Sequence, residues 1–536
     1  MTNPLRIVPE TSVADVVAAH PELKAPLRKL GIDLCCGASL SLREAAEVRR
    51  INVDDIIKTL IDACASSPAA EQPRDESRAA SDDARQIGGL VYRPFLLAAL
   101  VVTVTMGAGM GAYNLLALHA GATSFHPALS QVHGAAQVWG FVFLFIMGVA
   151  YHALPRFLGT ELRARRGARA SLWLALAGIA LTAAGRLVSA AWTASVIGAL
   201  GALLTITAVA AFAYVLAATW RASPAPPDPI HRFLAAGTFW WLVAAALLLG
   251  QSVHTIQTAS SPPHQANEAI YAAALFGGAL MWIQGMFLRI GPVFLNLAST
   301  RTRLVHMTLF TANAGGFVAV AGLASPATAT SRIAANVGLL LIAFSVLVYI
   351  AAVRPFSAAR RLAEENRVIV RVIRAAFVAS ILFAVLAAIA AIADLIGAPS
   401  SRLLADGARH AFGLGFVTLM IFGVAARVVP VFGGVRLALP RALAIGATLI
   451  AVGVALRETQ VLVALFGNPR FLTISALSGI PSAIGVFLAS VSLVATLRSR
   501  AGRETDAAVR ATPIAHDSNV AAPTLVSLNV KKETAQ

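Results

Sequence analysis

The chain has 536 residues, of which 57% are hydrophobic and 13% are charged, and its mean hydropathy is +0.74. This composition excludes a water-soluble globular protein of this length and places most of the chain in lipid. The net charge of +17 comes from arginines concentrated in alternate loops, so it reports membrane topology and we expect no nucleic-acid partner.

Residues 1–65 differ in texture from the rest of the chain. Helix start signals occur at Thr11, at Ser41 with Glu44 three residues later, and at Asn52. They predict a small soluble domain of three or four short helices. Met1 to Glu10 contains no apolar run, so we expect no signal peptide.

All three cysteines, Cys35, Cys36 and Cys64, lie in this soluble domain. If the domain is cytoplasmic, its thiols are expected to be reduced, and an adjacent pair makes a strained ring when oxidised. One interpretation is that Cys35 and Cys36 are small buried side chains at a turn beside Gly37. The other is that they carry out redox or metal chemistry.

The cysteine pair lies in the run Gly31-Ile32-Asp33-Leu34-Cys35-Cys36-Gly37. With Thr11–Val17, Pro21–Leu23 and Leu42–Ala45, this run resembles the N-terminal domain of the ScdA/RIC proteins, which repair iron centres damaged by nitric oxide and oxidants. The likeness covers most of residues 9 to 63 and implies a redox or metal-handling role for Cys35 and Cys36, with iron-centre proteins as partners. The family's di-iron haemerythrin-like domain is replaced here by a membrane domain.

Two segments flank the hydrophobic region. Residues 66–90 are rich in Ser, Ala, Asp, Glu and Arg without an apolar face, which predicts a flexible linker. Residues 499–536 have the same character and predict a disordered cytoplasmic tail.

Residues 91–498 predict a membrane domain of twelve helices, each long enough to cross about 30 Å of hydrocarbon. The expected bounds are 93–119, 128–153, 169–190, 192–219, 231–254, 268–293, 303–325, 332–353, 369–396, 408–431, 439–458 and 470–497.

One segment occurs three times in this domain. Gly140–Gly159 and Gly415–Gly434 are identical at more than half of their positions, and a weaker copy covers Gly277–Asn296 midway between them. The copies are almost evenly spaced, and each period holds four helices. The fold class expected is therefore an all-α polytopic membrane protein of three four-helix repeats, which resembles the haem-copper oxidase core, preceded by a small soluble helical domain.

The positions of His133 and His410 make them candidate cofactor ligands. His133 precedes Gly140 by seven residues and His410 precedes Gly415 by five, so their depths differ by only about 3 Å. Two imidazoles at one depth on symmetry-related helices can hold a haem iron from both faces. The alternative is that each imidazole hydrogen-bonds a neighbouring carbonyl and does no chemistry.

Three further histidines lie near the ends of the helices on the same side. His126, His254 and His264 are candidate copper ligands, since neutral imidazole suits copper. The alternative is that they are solvated or cap loops. The sequence does not show the cluster of about three imidazoles beside a haem that a haem-copper reductase centre needs.

At the opposite side, Arg289 and Arg427 occupy equivalent places in the second and third copies, where the first has His152. We expect both arginines to reach the interface with water. The recurrent Gly–Pro elements are expected to allow close helix packing and then to end each helix.

Residues 90 to 498 also resemble the NnrS family. The carrying residues are His133 with Trp139-Gly140-Phe141, then Arg289-Ile290-Gly291-Pro292-Val293-Phe294-Leu295-Asn296, and then His410-Ala411-Phe412-Gly413-Leu414-Gly415 with Arg427. NnrS proteins are twelve-helix inner-membrane proteins that contain haem and copper and are linked to nitrosative stress. Two departures, Ala135 and the run Val431–Gly434, affect the family's copper site more than its haem site.

These observations give the leading hypothesis of a haem-containing protein, with copper as a second cofactor, that acts in the nitric oxide response and protects cellular iron centres. It would lie in the bacterial inner membrane with both termini cytoplasmic, in contact with lipid and with nitric oxide as ligand. The alternatives are a cofactor-free twelve-helix transporter, a membrane-anchored redox or nitric oxide sensor, and a haem-dependent oxidoreductase that turns over nitric oxide. A threefold repeat of four helices argues against common transporters, which repeat as six plus six.

Overall fold

The computed structural model describes most of the chain. The described residues are 7–23, 26–27, 30, 32, 41–49, 51–66, 91–120, 127–188, 191–223, 228–258, 264–295, 297, 300–357, 366–433 and 435–499. Cys35, Cys36 and His126, together with almost all of the predicted linker and of the predicted tail, lie outside these residues.

The described part of the soluble domain has helices Val13–Ala19, Leu42–Arg49 and Val53–Ser66 and a 3₁₀ turn Pro21–Leu23. Ser12, rather than Thr11, caps the first helix, because its hydroxyl accepts the Asp15 amide at 3.0 Å. Apolar side chains from all three helices and the turn form one buried core: Val13, Val16, Leu23, Leu27, Ile32, Leu42, Ala45, Ala46, Ile56 and Leu60.

Within the described residues, twelve helices are long and apolar enough to cross a membrane. We number them as spans 1 to 12: Tyr92–His119, Ala128–Phe157, Arg165–Leu187, Trp192–Arg221, Pro229–Thr258, Ala266–Pro292, Thr302–Ala324, Ala329–Val353, Arg367–Leu395, Ser401–Gly433, Pro440–Phe466 and Arg470–Arg498. The even-numbered spans begin at one face of the bundle, which we call the upper face, and end at the lower face. The all-helical, twelve-span fold predicted from the sequence is confirmed.

The largest differences from the predicted bounds are at the start of span 10 and at the end of span 11. Span 10 begins at Ser401 and not near 408, and its first part, Ser401–His410, carries Asp406 on the helix. Span 11 also continues past Arg457 as a second helix, Thr459–Phe466. Polar residues near the upper face that hydropathy assigned to loops therefore belong to the helices.

The three spans that carry the sequence repeat form the centre of the bundle. In spans 2, 6 and 10 the most apolar window is 89%, 78% and 78% buried, whereas no other span exceeds 56%. In a membrane protein the lipid-facing helices keep exposed apolar surface, so these values identify the three central helices.

Each central span packs tightly against the first span of its repeat. A Cβ on Gly148 would lie 2.9 Å from Cβ of Phe95, and one on Gly285 would lie 2.8 Å from Cβ of Phe233. In the third repeat, a Cβ on Gly423 would meet a side-chain carbon of Ile373 at 2.9 Å. The close packing expected from these glycines is confirmed.

The prolines of the repeat have a weaker effect than predicted. Pro155, Pro292 and Pro430 lie inside the last turn, and each helix continues for two or three residues beyond its proline. A proline near a C-terminus removes one hydrogen bond and bends the chain, but the remaining turn is held by packing.

Spans 2, 6 and 10 also share a π-helical segment, at Ala136–Phe143, Ala272–Ala279 and Ala411–Thr418. Span 1 has one at Thr103–Gly109. The three segments in the central spans recur in step with the sequence repeat. π-Helical turns are rare and are frequent at functional sites, and the apolar periodicity of the sequence does not predict them.

Candidate functional site

His133 lies in span 2, just before the π-helical segment, and faces span 1. Its Nδ1 atom is 2.8 Å from the carbonyl oxygen of Gly107. A carbonyl only accepts, so Nδ1 carries the proton and the neutral ring keeps its lone pair on Nε2. The ring packs on the span 1 backbone at Gly111, where a Cβ would lie 2.6 Å from Cε1 of His133.

His410 has the same arrangement in span 10. Its Nδ1 atom is 2.9 Å from the backbone carbonyl oxygen of Asp406 and 3.5 Å from the Asp406 carboxylate. Here too the proton is on Nδ1 and the lone pair on Nε2. Among the described residues, neither His133 nor His410 has a hydrogen-bond partner at Nε2.

Asp406 organises the polar groups around His410. Its Oδ2 atom accepts hydrogen bonds from Arg457 Nη2 at 2.6 Å and from Gln460 Nε2 at 3.0 Å. Arg457 also reaches Ser475 Oγ at 3.3 Å. The cluster therefore joins spans 10, 11 and 12 at the upper face, and span 12 contacts span 1 where Gly479 packs on Ala112.

The two histidines share one electrostatic environment. His133 lies within reach of the charges of Asp406 and Arg457, and His410 lies within reach of His133 and of the same ion pair. Spans 2 and 10 thus bring the two histidines predicted from the sequence to the same region of the bundle. Ionisable groups at this depth are costly and are functional candidates by default.

The residues present fit a bis-histidine haem site in two respects. Each histidine has Nδ1 fixed by a carbonyl and Nε2 available, which is the arrangement of a metal-ligating histidine. In addition, Gly413, three residues after His410, has open space beside it, because a Cβ there would meet no atom within 4 Å. The hydrogen bonds from Nδ1 to backbone carbonyls would also form if both histidines were purely structural. The two interpretations differ in whether Nε2 binds a metal.

The sequence did not predict Asp406, Arg457 or Gln460 as site residues. Asp406 precedes His410 by four residues, so the two lie on one face of a helix once span 10 is extended to Ser401. Arg457 ends the main helix of span 11. An Asp-x-x-x-His pair at the start of a membrane helix was the available signal.

A second polar group lies at the upper face between spans 6 and 10. Arg409 Nη1 is 2.5 Å from Glu268 Oε1. Both line a cavity of about 640 Å³ whose walls are otherwise mostly apolar, with Tyr271, Arg332 and Asp394 among its polar residues. Arg409 is adjacent to His410 in sequence, so the cavity borders the same part of span 10.

At the lower face, His152 is 2% exposed and neither ring nitrogen has a hydrogen-bond partner among the described residues. Its ring lies 3.7 Å from that of Phe432 and 4.6 Å from that of Tyr92, centroid to centroid. Arg289, its equivalent in the second repeat, contacts Asp228 at 3.6 Å and lies over the ring of Phe157. The arginine is therefore held by partners and not merely directed toward the interface.

Of the remaining predicted site residues, the structure describes His254 and His264. His254 is exposed near the end of span 5, and His264 starts the helix His264–Tyr271. His126, Cys35 and Cys36 lie outside the described residues. The proposed copper ligands and the cysteine pair therefore stay predictions.

Comparison with known proteins gives a family match for residues 9–63 and a structural likeness over most of the chain. Residues 9–63 match the ScdA_N family, described as a domain of unknown function (DUF542). No curated protein matches the chain. Among solved structures, the chain is similar to a heme-copper terminal oxidase dimer determined by cryo-electron microscopy, with 15% identity, a TM-score of 0.63, and coverage of 78% of this chain and 85% of that one.

The likeness to the terminal oxidase establishes the fold. The protein is a multi-pass membrane protein with a haem-copper-oxidase-like arrangement of twelve helices, and residues 9–63 form a domain of the ScdA_N type.

Proposed function

We propose that this protein is a haem-containing membrane protein that binds nitric oxide and contributes to the nitrosative stress response. The observation that carries the proposal is the matched pair His133 and His410. Each has Nδ1 bonded to a backbone carbonyl and Nε2 available, in a bundle with the haem-copper oxidase fold.

The chain's own residues would hold the haem and set its environment. The carbonyl of Gly107 fixes the His133 ring, and the Asp406 backbone fixes that of His410. The Asp406–Arg457 pair places opposite charges beside the two imidazoles, and such groups tune a haem through charge and hydrogen bonding. When bound, the haem would supply an iron that exchanges one electron, or that takes a small ligand such as nitric oxide in place of one of the two histidines.

Two resemblances support the role in nitrosative stress. The membrane domain is similar to the NnrS proteins in the residues around His133, Arg289 and His410. The head matches the ScdA_N model, and the resemblance to ScdA/RIC proteins gives Cys35 and Cys36 a redox or metal-handling role toward iron-centre proteins. Both point to the chemistry of nitric oxide with iron.

The decisive experiment measures haem per chain and the oxidised and dithionite-reduced absorption spectra of the detergent-purified protein. We expect a six-coordinate low-spin haem in the wild type, loss of six-coordination in His133→Ala and His410→Ala, and loss of haem in the double variant. His119→Ala is the matched control, because His119 is an exposed histidine at the end of span 1 on the same face. Unchanged haem in the double variant would contradict the proposal.

Nitric oxide binding needs its own measurement. We expect a spectral change on adding nitric oxide to the reduced wild type, and none of that size in the double variant. Cells that lack the protein should grow more slowly under a nitric oxide donor and recover with the wild-type gene only. Recovery with the double variant would favour the sensor or transporter hypotheses.

Copper is the second proposed cofactor, with His126, His254 and His264 as ligands. Metal analysis of the same samples tests it: replacement of these three by alanine should remove copper and leave haem. Copper in equal amount in the triple variant would place it elsewhere.

We also propose that the protein lies in the bacterial inner membrane with both termini in the cytoplasm. The alternation of arginine-rich and arginine-poor loops supports this orientation. A fluorescent protein fused to the C-terminus should fluoresce, and alkaline phosphatase fused there should be inactive. The reverse result would place the C-terminus outside the cytoplasm.

A further inference from the structure

Three side chains with metal-binding atoms lie together in the soluble domain. His20 Nδ1 is 3.1 Å from Glu22 Oε1, and Cys64 Sγ is 3.9 Å from His20 Nδ1. One ligand atom from each of the three residues lies within 4.8 Å of the others. Within the described residues this is the one such group of three or more ligands.

The fold of the domain brings these residues together from distant parts of the sequence. His20 caps the helix Val13–Ala19 through its amide, which donates to the Val16 carbonyl at 2.8 Å. Glu22 lies in the following 3₁₀ turn, and Cys64 comes from the last turns of the helix Val53–Ser66. Because Leu23 and Leu60 are fully buried in the same core, both sides of the cluster are anchored by packing.

The spacing of the ligand atoms suits a tetrahedral metal ion. Bonds of about 2.0–2.3 Å to nitrogen, oxygen and sulfur place neighbouring ligands roughly 3.3–3.8 Å apart. The observed separations of 3.1 and 3.9 Å bracket that range, and the third, between Cys64 and Glu22, is at most 4.8 Å, so side-chain movements of about 1 Å suffice. Surface charge alone does not explain the group, because a thiol, an imidazole and a carboxylate from two separate elements converge on one point.

We propose that His20, Glu22 and Cys64 form a binding site for a divalent transition-metal ion of the zinc class. Three protein ligands leave one position of a tetrahedral ion open to water or to a further ligand. The side chains of His20 and Glu22 are 30% and 41% exposed, so solvent reaches the cluster. This site is separate from the predicted Cys35/Cys36 pair and does not depend on haem in the membrane domain.

Cobalt(II) is the probe, because thiolate-bound Co²⁺ gives a near-ultraviolet charge-transfer band and tetrahedral Co²⁺ gives intense visible bands. All three cysteines lie in residues 1–65, so the charge-transfer band cannot arise in the membrane domain. The background is full-length Cys35→Ser/Cys36→Ser protein in detergent, in which Cys64 is the sole thiol. We expect one Co²⁺ per chain that gives the charge-transfer band.

The variants separate a ligand role from a structural one. Cys64→Ser should abolish the charge-transfer band, whereas Cys64→Asp should retain binding without it. His20→Ala and Glu22→Gln should weaken binding by roughly tenfold or more. Asp54→Asn, an exposed carboxylate at the far end of the same helix, should bind as the background does. Absence of the band in the background protein, or equal affinity in the His20 and Glu22 variants, would overturn the site.

Discussion

Asp406 on span 10 and Arg457 on span 11 form a 2.6 Å ion pair next to His410, although the two residues are 51 positions apart. The arginine side chain is 13% exposed and the aspartate 32%. Gln460 binds the same carboxylate oxygen. The pair therefore joins the upper ends of spans 10 and 11, and it places two charged groups near His410, a candidate haem ligand.

Replacement of Asp406 by asparagine should lower the thermal midpoint of the purified protein, by the equivalent of about 2 kcal/mol, because it leaves the partly buried Arg457 without its charged partner. Glu161→Gln is the control, since the Glu161–Arg165 pair is exposed and should contribute less than about 1 kcal/mol. A double replacement, Asp406→Leu with Arg457→Met, should recover part of the loss. Equal thermal midpoints for Asp406→Asn and Glu161→Gln would mean that the Asp406–Arg457 pair stabilises the protein no more than an exposed ion pair does.

Gly111→Ala tests whether the His133 ring position matters for haem binding. The added Cβ would lie 2.6 Å from Cε1 and 2.9 Å from Nδ1 of His133, so the ring must shift, and we expect the shift to break the hydrogen bond from Nδ1 to the Gly107 carbonyl. Loss of that hydrogen bond, worth about 1 kcal/mol, should weaken haem binding roughly fivefold. Titration of the apoprotein with haem measures the effect, and Gly198→Ala, which meets no atom within 4 Å, is the matched control. Equal haem affinity in the Gly111→Ala and Gly198→Ala variants would show that the position of the His133 ring does not affect haem binding.

His152→Phe should raise the thermal midpoint. It removes two buried ring nitrogens that have no hydrogen-bond partner among the described residues and keeps the ring contacts with Tyr92 and Phe432. The expected gain is about 1 kcal/mol. The alternative outcome is a loss of bound haem or copper on metal analysis, which would make His152 a ligand and contradict a purely structural role.

The ion pair between Glu10 and Arg43 should give the soluble domain a pH-dependent stability. A hydrogen bond from Arg43 at 2.8 Å holds the pKa of the Glu10 carboxyl below its ordinary value. A lowered pKa means that the stabilisation is present above the ordinary carboxyl pKa and is lost as the pH falls through the lowered one. Hydrogen exchange of the helix Leu42–Arg49 should therefore be faster in Glu10→Gln than in wild type at neutral pH and equal at strongly acidic pH. A difference that persists in acid would rule out the charge as its cause.

Much of the fold could be predicted because it depends on local chemistry. The hydropathy of each segment determined the number of spans, since an apolar segment of about 20 residues satisfies its own backbone hydrogen bonds in lipid when it forms a helix. The repeat at Gly140, Gly277 and Gly415 predicted three groups of four helices, and the glycines within it predicted close packing, because small residues are needed where helices approach closely. Helical rise alone predicted similar depths for His133 and His410.

The candidate site could be predicted only in part. Hydropathy started span 10 near residue 408 and so left Asp406 in a loop, whereas the packing of spans 10, 11 and 12 continues the helix to Ser401. Burial of a charged residue in a membrane helix depends on a partner that lies elsewhere in the chain, here Arg457, and a window of neighbouring residues does not contain that information.

The sequence by itself determined the number of membrane spans and the threefold repeat, and it predicted one depth for His133 and His410, because each follows from hydrophobicity or helical periodicity within one segment. The tertiary structure alone decided which polar groups meet. It paired Asp406 with Arg457, bonded His133 to the Gly107 carbonyl of another span, and brought Cys64 to His20 across 44 residues. Contacts of this kind depend on how helices pack in three dimensions, and packing is a property of the whole bundle.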